Sequence, residues 1–142
     1  MNLLNERQQK YLRAGNYKTA PGELRRLSHS QDVYIRSRVA ENSNTPLGTL
    51  FELSNDESIE VRVALTYNHN LPLMLQSALA NDHNPDVRYA MAENFNLPCE
   101  ILSLLAEDEN PYVMQRAKLS IAMSCVRKAT DDQNNSPDIL AA

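Results

Sequence analysis

The sequence predicts an all-α protein, a right-handed α-solenoid of about three and a half 26-residue two-helix repeats with terminal capping helices. Two observations predict this fold: the same residue types recur every 26 positions, and each interval contains two apolar patterns at helical spacing. The recurring positions are Arg36, Arg62 and Arg88, Asn42, Asn68 and Asn94, and Pro46, Pro72 and Pro98. Such a period is typical of stacked units that cannot bury their apolar faces alone.

The length of 142 residues fits a single domain, which we place at residues 1–130. The polar segment 131–142 is expected to be a flexible tail. Within the domain we expect an N-terminal cap with a half repeat, three repeats, and a last repeat with a C-terminal cap. Their boundaries are 1–19, 20–45, 46–71, 72–97 and 98–130.

The first helix of each repeat is predicted to begin at one of the recurring prolines. Proline suits the first turn of a helix because the N–H group that it lacks would have no intrahelical partner there. Apolar residues such as Leu47, Leu50 and Leu53 then follow at helical spacing. A short polar turn that contains an aspartate ends this helix and leads into the second.

The second helix is predicted to begin near that aspartate, which is Asp56, Asp82 or Asp108. A carboxylate at this point can accept hydrogen bonds from free amides and oppose the helix dipole. Val61 and Leu65 illustrate the apolar stripe at i and i+4. The recurring asparagine is expected to end the helix in the left-handed conformation that asparagine tolerates.

Both ends of the array are expected to differ from its middle. Residues 2–14 predict a capping helix that leads into the half repeat. In the last repeat Ser120 replaces the asparagine and Ser124 replaces the proline. Because both stop signals are lost, the last helix is expected to extend from Pro111 to about Ala129.

Charge is distributed unevenly along a chain whose net charge is −4. Residues 1–45 hold eight Lys or Arg against four acids, whereas residues 46–142 hold six against fourteen. A solenoid would keep this asymmetry as a positive end and a negative end.

Composition excludes several classes of protein. No segment is long and apolar enough for a leader or a membrane span, so we expect a soluble cytoplasmic protein with no membrane partner. Cys99 and Cys125, one period apart, are expected to be small buried thiols. His29, His69 and His83 fall at different repeat positions, and we expect no metal site and no cofactor.

The segment from Leu79 to Asn94, with its Asp and Val-Arg positions, resembles the leucine-rich repeat variant family, and it is also similar to the broader HEAT-like group. The resemblance covers about residues 14 to 118 and implies an α-solenoid. These families include scaffolds, enzyme subunits and nucleic-acid enzymes, so the resemblance leaves the activity open. The best-known leucine-rich repeat variant architecture adds an amino-terminal cysteine cluster for an iron–sulfur centre. Residues 1–20 contain no cysteine, and we expect no such centre.

The recurring arginines have two interpretations. They could form a basic stripe that contacts phosphates. We favour a structural ladder, in which each arginine pairs with a turn aspartate of a neighbouring repeat. The members of this ladder are Arg36, Arg62, Arg88, Asp56, Asp82 and Asp108.

The outward side of the second helices varies from repeat to repeat, and tyrosine and carboxylate dominate it. We expect it to line the concave face of the solenoid and to bind a partner such as a basic peptide or helix, with tyrosines as anchors and acids for steering. The alternative is that this side is an ordinary solvent-exposed face, with its tyrosines half-buried between helices. The residues of this candidate site are Tyr34, Glu41, Glu60, Tyr67, Asp86, Tyr89, Glu93 and Tyr112.

The sequence therefore favours a non-catalytic scaffold or adaptor for protein–protein interaction, acting as a monomer or with weak self-association. One alternative is that the basic first third, from Arg7 to Arg38, binds nucleic acid or an acidic protein, although we rank nucleic acid below protein as a partner. A second is an accessory or catalytic role, of the HEAT-like lyase or base glycosylase type. The chain contains no HExxH, GxSxG or phosphate-loop motif that requires catalysis.

The last three residues, Leu140, Ala141 and Ala142, are similar to the tail that bacterial tagging systems append to proteins destined for degradation. This gives a separate hypothesis of regulated turnover.

Overall fold

The computed structural model describes residues 3–134, and every regular element in that range is an α-helix. The all-α prediction is confirmed. In chain order the helices are α1 (Glu6–Gly15), α2 (Pro21–Leu27), α3 (Val33–Glu41), α4 (Leu47–Leu53), α5 (Ile59–Thr66), α6 (Leu73–Ala80), α7 (Pro85–Ala92), α8 (Cys99–Leu105) and α9 (Pro111–Asn134).

The chain forms two compact units, Met1–Met91 and Ala92–Ala142. In the first unit, α3 packs against α1 on one side and α5 on the other, while α2 and α4 contact the helices that follow them. The predicted single domain over residues 1–130, with its repeat boundaries, stays a prediction.

The core of the first unit consists of the aliphatic stripes of these short helices. Each fully buried aliphatic side chain contributes about 1.5–3 kcal/mol relative to an exposed one. No helix of seven to nine residues would be stable alone, so this shared core is what keeps the helices folded. Its most buried large members are Leu24, Val39, Val61, Leu65, Leu79, Val87 and Met91.

The prolines mark the helix starts as the sequence predicts, within one residue. Pro46, Pro72 and Pro98 are the N-cap residues of α4, α6 and α8, with extended backbone, and each helix begins at the next residue. Pro21 is itself the first residue of α2. The missing N–H group costs nothing at either position.

The predicted left-handed conformation of the recurring asparagines is wrong. Asn42, which follows α3, has φ −71° and ψ 120°, and no non-glycine residue between positions 3 and 134 has a positive φ. Asparagine is used at this position for its side-chain amide, which bonds to a more distant part of the chain.

In the second unit, α8 packs against the first half of α9. The buried face of α9 presents Val113, Ala117 and Ser120, and α8 contributes Leu102 and Leu105. Helix α9 begins at Pro111, as predicted, but continues to Asn134. Residues 131–134 are therefore helical, although the sequence assigned them to the tail. The remainder of that segment, 135–142, including the Leu-Ala-Ala end, lies outside the described residues.

The prediction of buried thiols is wrong, because Cys99 and Cys125 are both exposed. Cys99 is the first residue of α8, where its side chain points away from the core, and Cys125 lies on the part of α9 that follows its last buried residue, Ser120. Over residues 3–134, no helix combines the length and the apolar character needed to cross a membrane.

Candidate functional site

The arginine at the middle of α3 bridges two successive turns. The guanidinium of Arg36 donates through Nε to Asp56 Oδ2 at 2.8 Å and through Nη2 to Asp56 Oδ1 at 3.0 Å. Its Nη1 donates to the carbonyl oxygen of Ser30 at 2.9 Å. The hydrogen bond to Asp56 raises the pKa of Arg36, so this pair stays charged.

Arg62, 26 residues later, has the same arrangement in a more buried setting. Its Nε donates to Asp82 Oδ2 at 2.8 Å, its Nη2 to Asp82 Oδ1 at 3.2 Å, and its Nη1 to the Asp56 carbonyl oxygen at 2.8 Å. The two side chains are only 5% and 7% exposed. The forked geometry matches both carboxylate oxygens and fixes the distance between neighbouring turns.

The pKa of Asp82 reports the balance of forces in this pair. Burial alone raises this pKa, but the hydrogen bond from Arg62 and the one from the Asn84 amide, at 2.8 Å, outweigh burial. The net pKa of Asp82 is therefore lowered, and its carboxylate is ionised at neutral pH.

The remaining members of the predicted ladder lie in different units. Arg88, in the first unit, donates to the Asp82 carbonyl oxygen at 2.9 Å, as Arg62 does to that of Asp56. Asp108, in the second, accepts a bond from the Asn110 amide at 2.8 Å. The structure thus pairs Arg36 with Asp56 and Arg62 with Asp82, and it gives the arginines a structural use.

A second set of inter-repeat bonds, made by asparagines, was missed from the sequence. The amide nitrogen of Asn42 donates to the carbonyls of Ala14 and Asn16, at 2.8 and 2.9 Å. That of Asn68 donates to the carbonyls of Ala40 and Asn42, at 2.7 and 2.9 Å. Each amide thereby bonds to two carbonyls at the end of an earlier helix, where carbonyls lack an intrahelical partner. The second carbonyl of each pair, that of Asn16 or Asn42, also accepts the amide of Thr19 or Thr45. The 26-residue recurrence of Asn was the available signal.

Ser120 performs part of this function in the second unit. Its hydroxyl donates to the Ala92 carbonyl at 2.6 Å and is fully buried. The donor lies 28 residues after the acceptor, the same offset that joins Asn42 to Ala14 and Asn68 to Ala40. The serine that removes the asparagine stop signal therefore keeps one of its two bonds.

The predicted tyrosine and acid site divides between the two units. In the first, Tyr34 on α3 is 61% exposed, Tyr67 at the end of α5 is 51% exposed, and Tyr89 on α7 is 38% exposed. These three side chains lie on three different second helices. In the second unit Tyr112 is 73% exposed and Glu93 is half-buried.

The acids of the first unit differ in their surroundings. Glu41 pairs with Arg38 at 3.0 Å, so its charge is largely offset. Glu60 accepts a hydrogen bond from the Ser58 hydroxyl, which lowers the pKa of Glu60. Asp86 is exposed in the first turn of α7, where the helix dipole favours its negative charge. Glu60 and Asp86 are therefore the exposed acids of the predicted site in the first unit.

An apolar groove next to Tyr34 was also missed. It has a volume of about 460 Å³ and lies between α1 and the start of α3, and it is lined by Leu4, Arg7, Gln8, Tyr11, Leu12 and Tyr34. Two guanidiniums stack on its aromatic rings: that of Arg7 lies 5.9 Å from the ring centre of Tyr34, and that of Arg38 lies 5.3 Å from that of Tyr11. The capping position of α1 obscured this groove, because the repeat pattern is faint there.

A larger cavity of about 780 Å³ opens between α4 and α6. Phe51, Met74 and Leu75 form part of its apolar wall. The polar groups at its end include Asp82 and Arg62, which are already joined in the buried ion pair. Three of its titratable groups, Asp56, Arg62 and Asp82, therefore have structural partners.

Most bases of the first third already contact a carboxylate. Six of the eight do so: Arg7 with Asp32, Lys10 with Glu6, Arg13 and Arg26 with Glu23, Arg36 with Asp56, and Arg38 with Glu41. The bond from Arg7 lowers the pKa of Asp32, which also caps α3 through the Tyr34 amide at 2.9 Å. Five acids thus offset most of the positive charge of these six bases.

The histidines lie apart from one another. His29 Nε2 is 3.7 Å from Glu52, His83 Nδ1 is 3.5 Å from Asp82, and His69 is exposed in the link after α5. No group of three or more His, Cys, Asp or Glu residues within the described range has the arrangement of a metal site.

These geometries are the basis for assigning a function, because comparisons with protein family models, curated proteins and solved structures find no match to this chain.

Proposed function

We propose that the chain is a non-catalytic scaffold or adaptor that binds a basic peptide or helix through the exposed side of its second helices. The single observation that carries the proposal is the set of three solvent-exposed tyrosines, Tyr34, Tyr67 and Tyr89, on consecutive second helices of one unit. Rigid aromatic side chains with apolar area left in water are frequent anchors of protein interfaces.

The acids beside the tyrosines support the choice of a basic partner. Glu60 and Asp86 are exposed acidic side chains in the first turns of α5 and α7, the helices that carry or precede Tyr67 and Tyr89. Complementary charge accelerates encounter and selects among partners more than it adds affinity. The partner would thus present bases near its apolar contacts.

The paired side chains beneath this surface support a preformed site. Arg36 and Arg62 each join two turns, and Asn42 and Asn68 join successive helix ends. A surface that is already ordered loses little conformational entropy when it binds. In a right-handed solenoid of these repeats, which is part of our proposal, the second helices line the concave face.

The basic first third is a weaker candidate for the binding surface. Binding to nucleic acid requires Lys and Arg side chains that can replace counterions at phosphates. Because six of the eight bases contact carboxylates, phosphates that bound any of these six would compete with existing ion pairs. This cost favours protein over nucleic acid as the partner.

The proposal also places the chain in the cytoplasm, as a monomer or with weak self-association. A catalytic role of the lyase or base glycosylase type would need a titratable group available to a substrate. In the cavity between α4 and α6, Asp82 is instead held by Arg62. The structural use of that carboxylate favours binding over catalysis.

An affinity pull-down tests the proposal by comparing the native chain with the double variant Tyr67→Ala/Tyr89→Ala. We expect the variant to lose partners that the native chain recovers, because truncation of an interface anchor commonly weakens binding by about 2 kcal/mol or more. Tyr17→Ala is the matched control, since Tyr17 is 71% exposed but lies in the turn after α1.

Recovery of the same partners by the native chain and the double variant would refute the proposed surface. Raising the salt concentration separates the two candidate partners. Binding to phosphates would weaken steeply, whereas binding anchored by tyrosines would weaken less.

A further inference from the structure

One side of α9 carries large apolar residues that the fold leaves in solvent. Tyr112, Leu119 and Val126 follow one another at intervals of seven residues, and Met123 lies between the last two, four residues after Leu119. The exposed fraction is 73% for Tyr112, 53% for Leu119, 64% for Val126 and 48% for Met123. We name these four residues the α9 seam. It extends along about 21 Å of the helix.

The seam is distinct from the face that packs against α8. Val113, Ala117 and Ser120 form the buried stripe of α9. At 3.6 residues per turn, the centre of the seam lies roughly 120° around the helix from the centre of that stripe. Helix α9 therefore has two apolar faces, and only one of them is used within the second unit.

The spacing of the seam has a specific meaning. Apolar residues at alternating intervals of three and four on one helix are the pattern by which a second helix packs alongside. Each such side chain then inserts between residues of the facing helix. A seam of this width fits a partner helix better than a broad surface.

The charges around the seam identify the chemistry of that helix. Residues 111–130 contain four bases and no acid, although the part of the chain from residue 46 onward is acidic. Arg116 and Arg127 lie on one side of the seam, whereas Gln115 and Ala122 lie on the other. The Arg116 Nε atom is buried and has no hydrogen-bond partner in the described part of the chain.

Arg127 is only partly engaged. Its Nη1 donates to Asn96 Oδ1 at 2.7 Å and its Nε lies 3.9 Å from Asp131, while its side chain remains 59% exposed. A carboxylate on a partner could reach this guanidinium without displacing a buried bond.

We propose that the α9 seam is a docking site for an acidic amphipathic helix of another protein. The partner helix presents apolar residues at heptad spacing to Leu119, Met123 and Val126, and its acids meet Arg116 and Arg127. This site goes beyond the surface of Tyr34, Tyr67 and Tyr89, since it lies in the second unit and selects the opposite charge; it takes only Tyr112 from the predicted tyrosine and acid site. Neither site requires the other.

A second copy of the chain and an anionic lipid surface fit the seam less well. In a second copy, the flanks of the seam would offer only bases or neutral residues to Arg116 and Arg127. A lipid surface requires a wide apolar face, and the net charge of −4 opposes approach to anionic lipid.

The test uses a fluorescein-labelled 21-residue peptide of three heptads, with Leu at the two core positions and Glu at the flanking positions. A matched peptide carries Lys in place of each Glu. Binding of both to the full native chain is measured by fluorescence anisotropy. We expect the acidic peptide to bind about 10-fold tighter than the basic one, and Met123→Glu to weaken its binding about 10-fold.

Two variants complete the design. Arg127→Gln should weaken the binding of the acidic peptide and make that binding less dependent on salt concentration, because one charge pair is lost. Cys125→Ser is the matched control, because Cys125 lies on the opposite side of α9 from the seam, and it should leave binding unchanged. Circular dichroism checks that each variant is folded.

Three results would overturn the proposal. Equal binding of the acidic and basic peptides would remove the charge argument. Sedimentation of the native chain as a dimer that Met123→Glu dissociates would make a second copy the occupant. Co-sedimentation with phosphatidylglycerol vesicles, lost in the same variant, would make lipid the occupant.

Discussion

Removal of the Arg62 guanidinium is the most informative perturbation of the scaffold. Its side chain and that of Asp82 are 5% and 7% exposed, so the variant Arg62→Ala would leave a carboxylate that water reaches poorly. Breaking a buried pair by removing one partner typically costs about 3–5 kcal/mol. We expect Arg62→Ala to lower the free energy of unfolding by about 3 kcal/mol, the low end of this range. The neighbouring His83 side chain is 83% exposed, so the turn can admit water to the unpaired carboxylate. The Asp56 carbonyl would also lose its donor.

The free energy of unfolding is measured by urea titration followed with circular dichroism at 222 nm. From about 2.1 cal/mol/K of unfolding entropy per residue, a loss of 3 kcal/mol corresponds to a decrease in Tm of roughly 10 °C. Arg26→Ala is the control, because Arg26 is 64% exposed and lies 3.5 Å from Glu23. Its removal should cost less than about 0.5 kcal/mol.

The pH dependence of the stability difference between the native chain and Arg62→Ala tests whether the unpaired Asp82 carboxylate is the cause of the loss. The pKa of Asp82 is lowered in the folded chain, so in the native protein this group contributes stability that is present above its unfolded pKa, about 3.9, and is lost as pH falls through the folded pKa. Without Arg62, burial dominates and the pKa of Asp82 rises. The variant can then relieve its buried charge by protonation, so the deficit should shrink between pH 7 and pH 4.

Two results would refute this reasoning. A loss in Arg62→Ala no larger than that in Arg26→Ala would mean that the pair contributes as little as an exposed one. A deficit that stays constant or grows as the pH falls would mean that the unpaired Asp82 carboxylate is not its source.

The asparagine bonds and the cysteines give two further predictions. Asn68→Ala should lower the free energy of unfolding by about 1–3 kcal/mol in the same titration, because the buried carbonyl of Ala40 loses its side-chain donor, while that of Asn42 keeps the Thr45 amide; a loss no larger than that of Asn70→Ala, which removes an exposed bond, would contradict this. Both thiols of the folded chain should react with Ellman's reagent without denaturant, since Cys99 and Cys125 are exposed; fewer than two equivalents would show that a thiol is buried.

The sequence predicts the all-α class and the helix starts because their signals are local. A proline fixes the backbone and lacks a donor wherever it occurs, so Pro46, Pro72 and Pro98 mark the helix starts without knowledge of the rest of the fold. Of the leucines at helical spacing in α4, Leu50 and Leu53 are buried as expected, but Leu47 at the helix start is 56% exposed.

The function of the asparagines could not be predicted in the same way. The partners of Asn68 lie 28 and 26 residues earlier, and a local rule therefore assigned it a backbone conformation instead of a distant bond. The prediction of buried cysteines was wrong for a related reason. Two residues that lie one 26-residue period apart need not have the same surroundings. Cys125 lies where α9 continues past its buried stripe, and the sequence does not show how far α8 extends beside it.

The candidate site also has one part that the sequence predicts and one part that it does not. Helical spacing placed Tyr34, Tyr67 and Tyr89 on the outer side of second helices, and all three are exposed. The groove formed by Tyr11 and Tyr34 depends on how α1 packs against α3, and that packing cannot be read from either helix alone.

The two kinds of inter-repeat bond extend in opposite directions along the chain. From a second helix such as α3, Arg36 reaches 20 residues forward and Asn42 reaches 28 residues back. Both offsets are preserved when a segment of 26 residues is duplicated or removed as a whole, whereas a shorter insertion within a helix would shift donors relative to acceptors. Gene duplication could therefore lengthen or shorten such a chain in steps of one repeat without a compensating mutation.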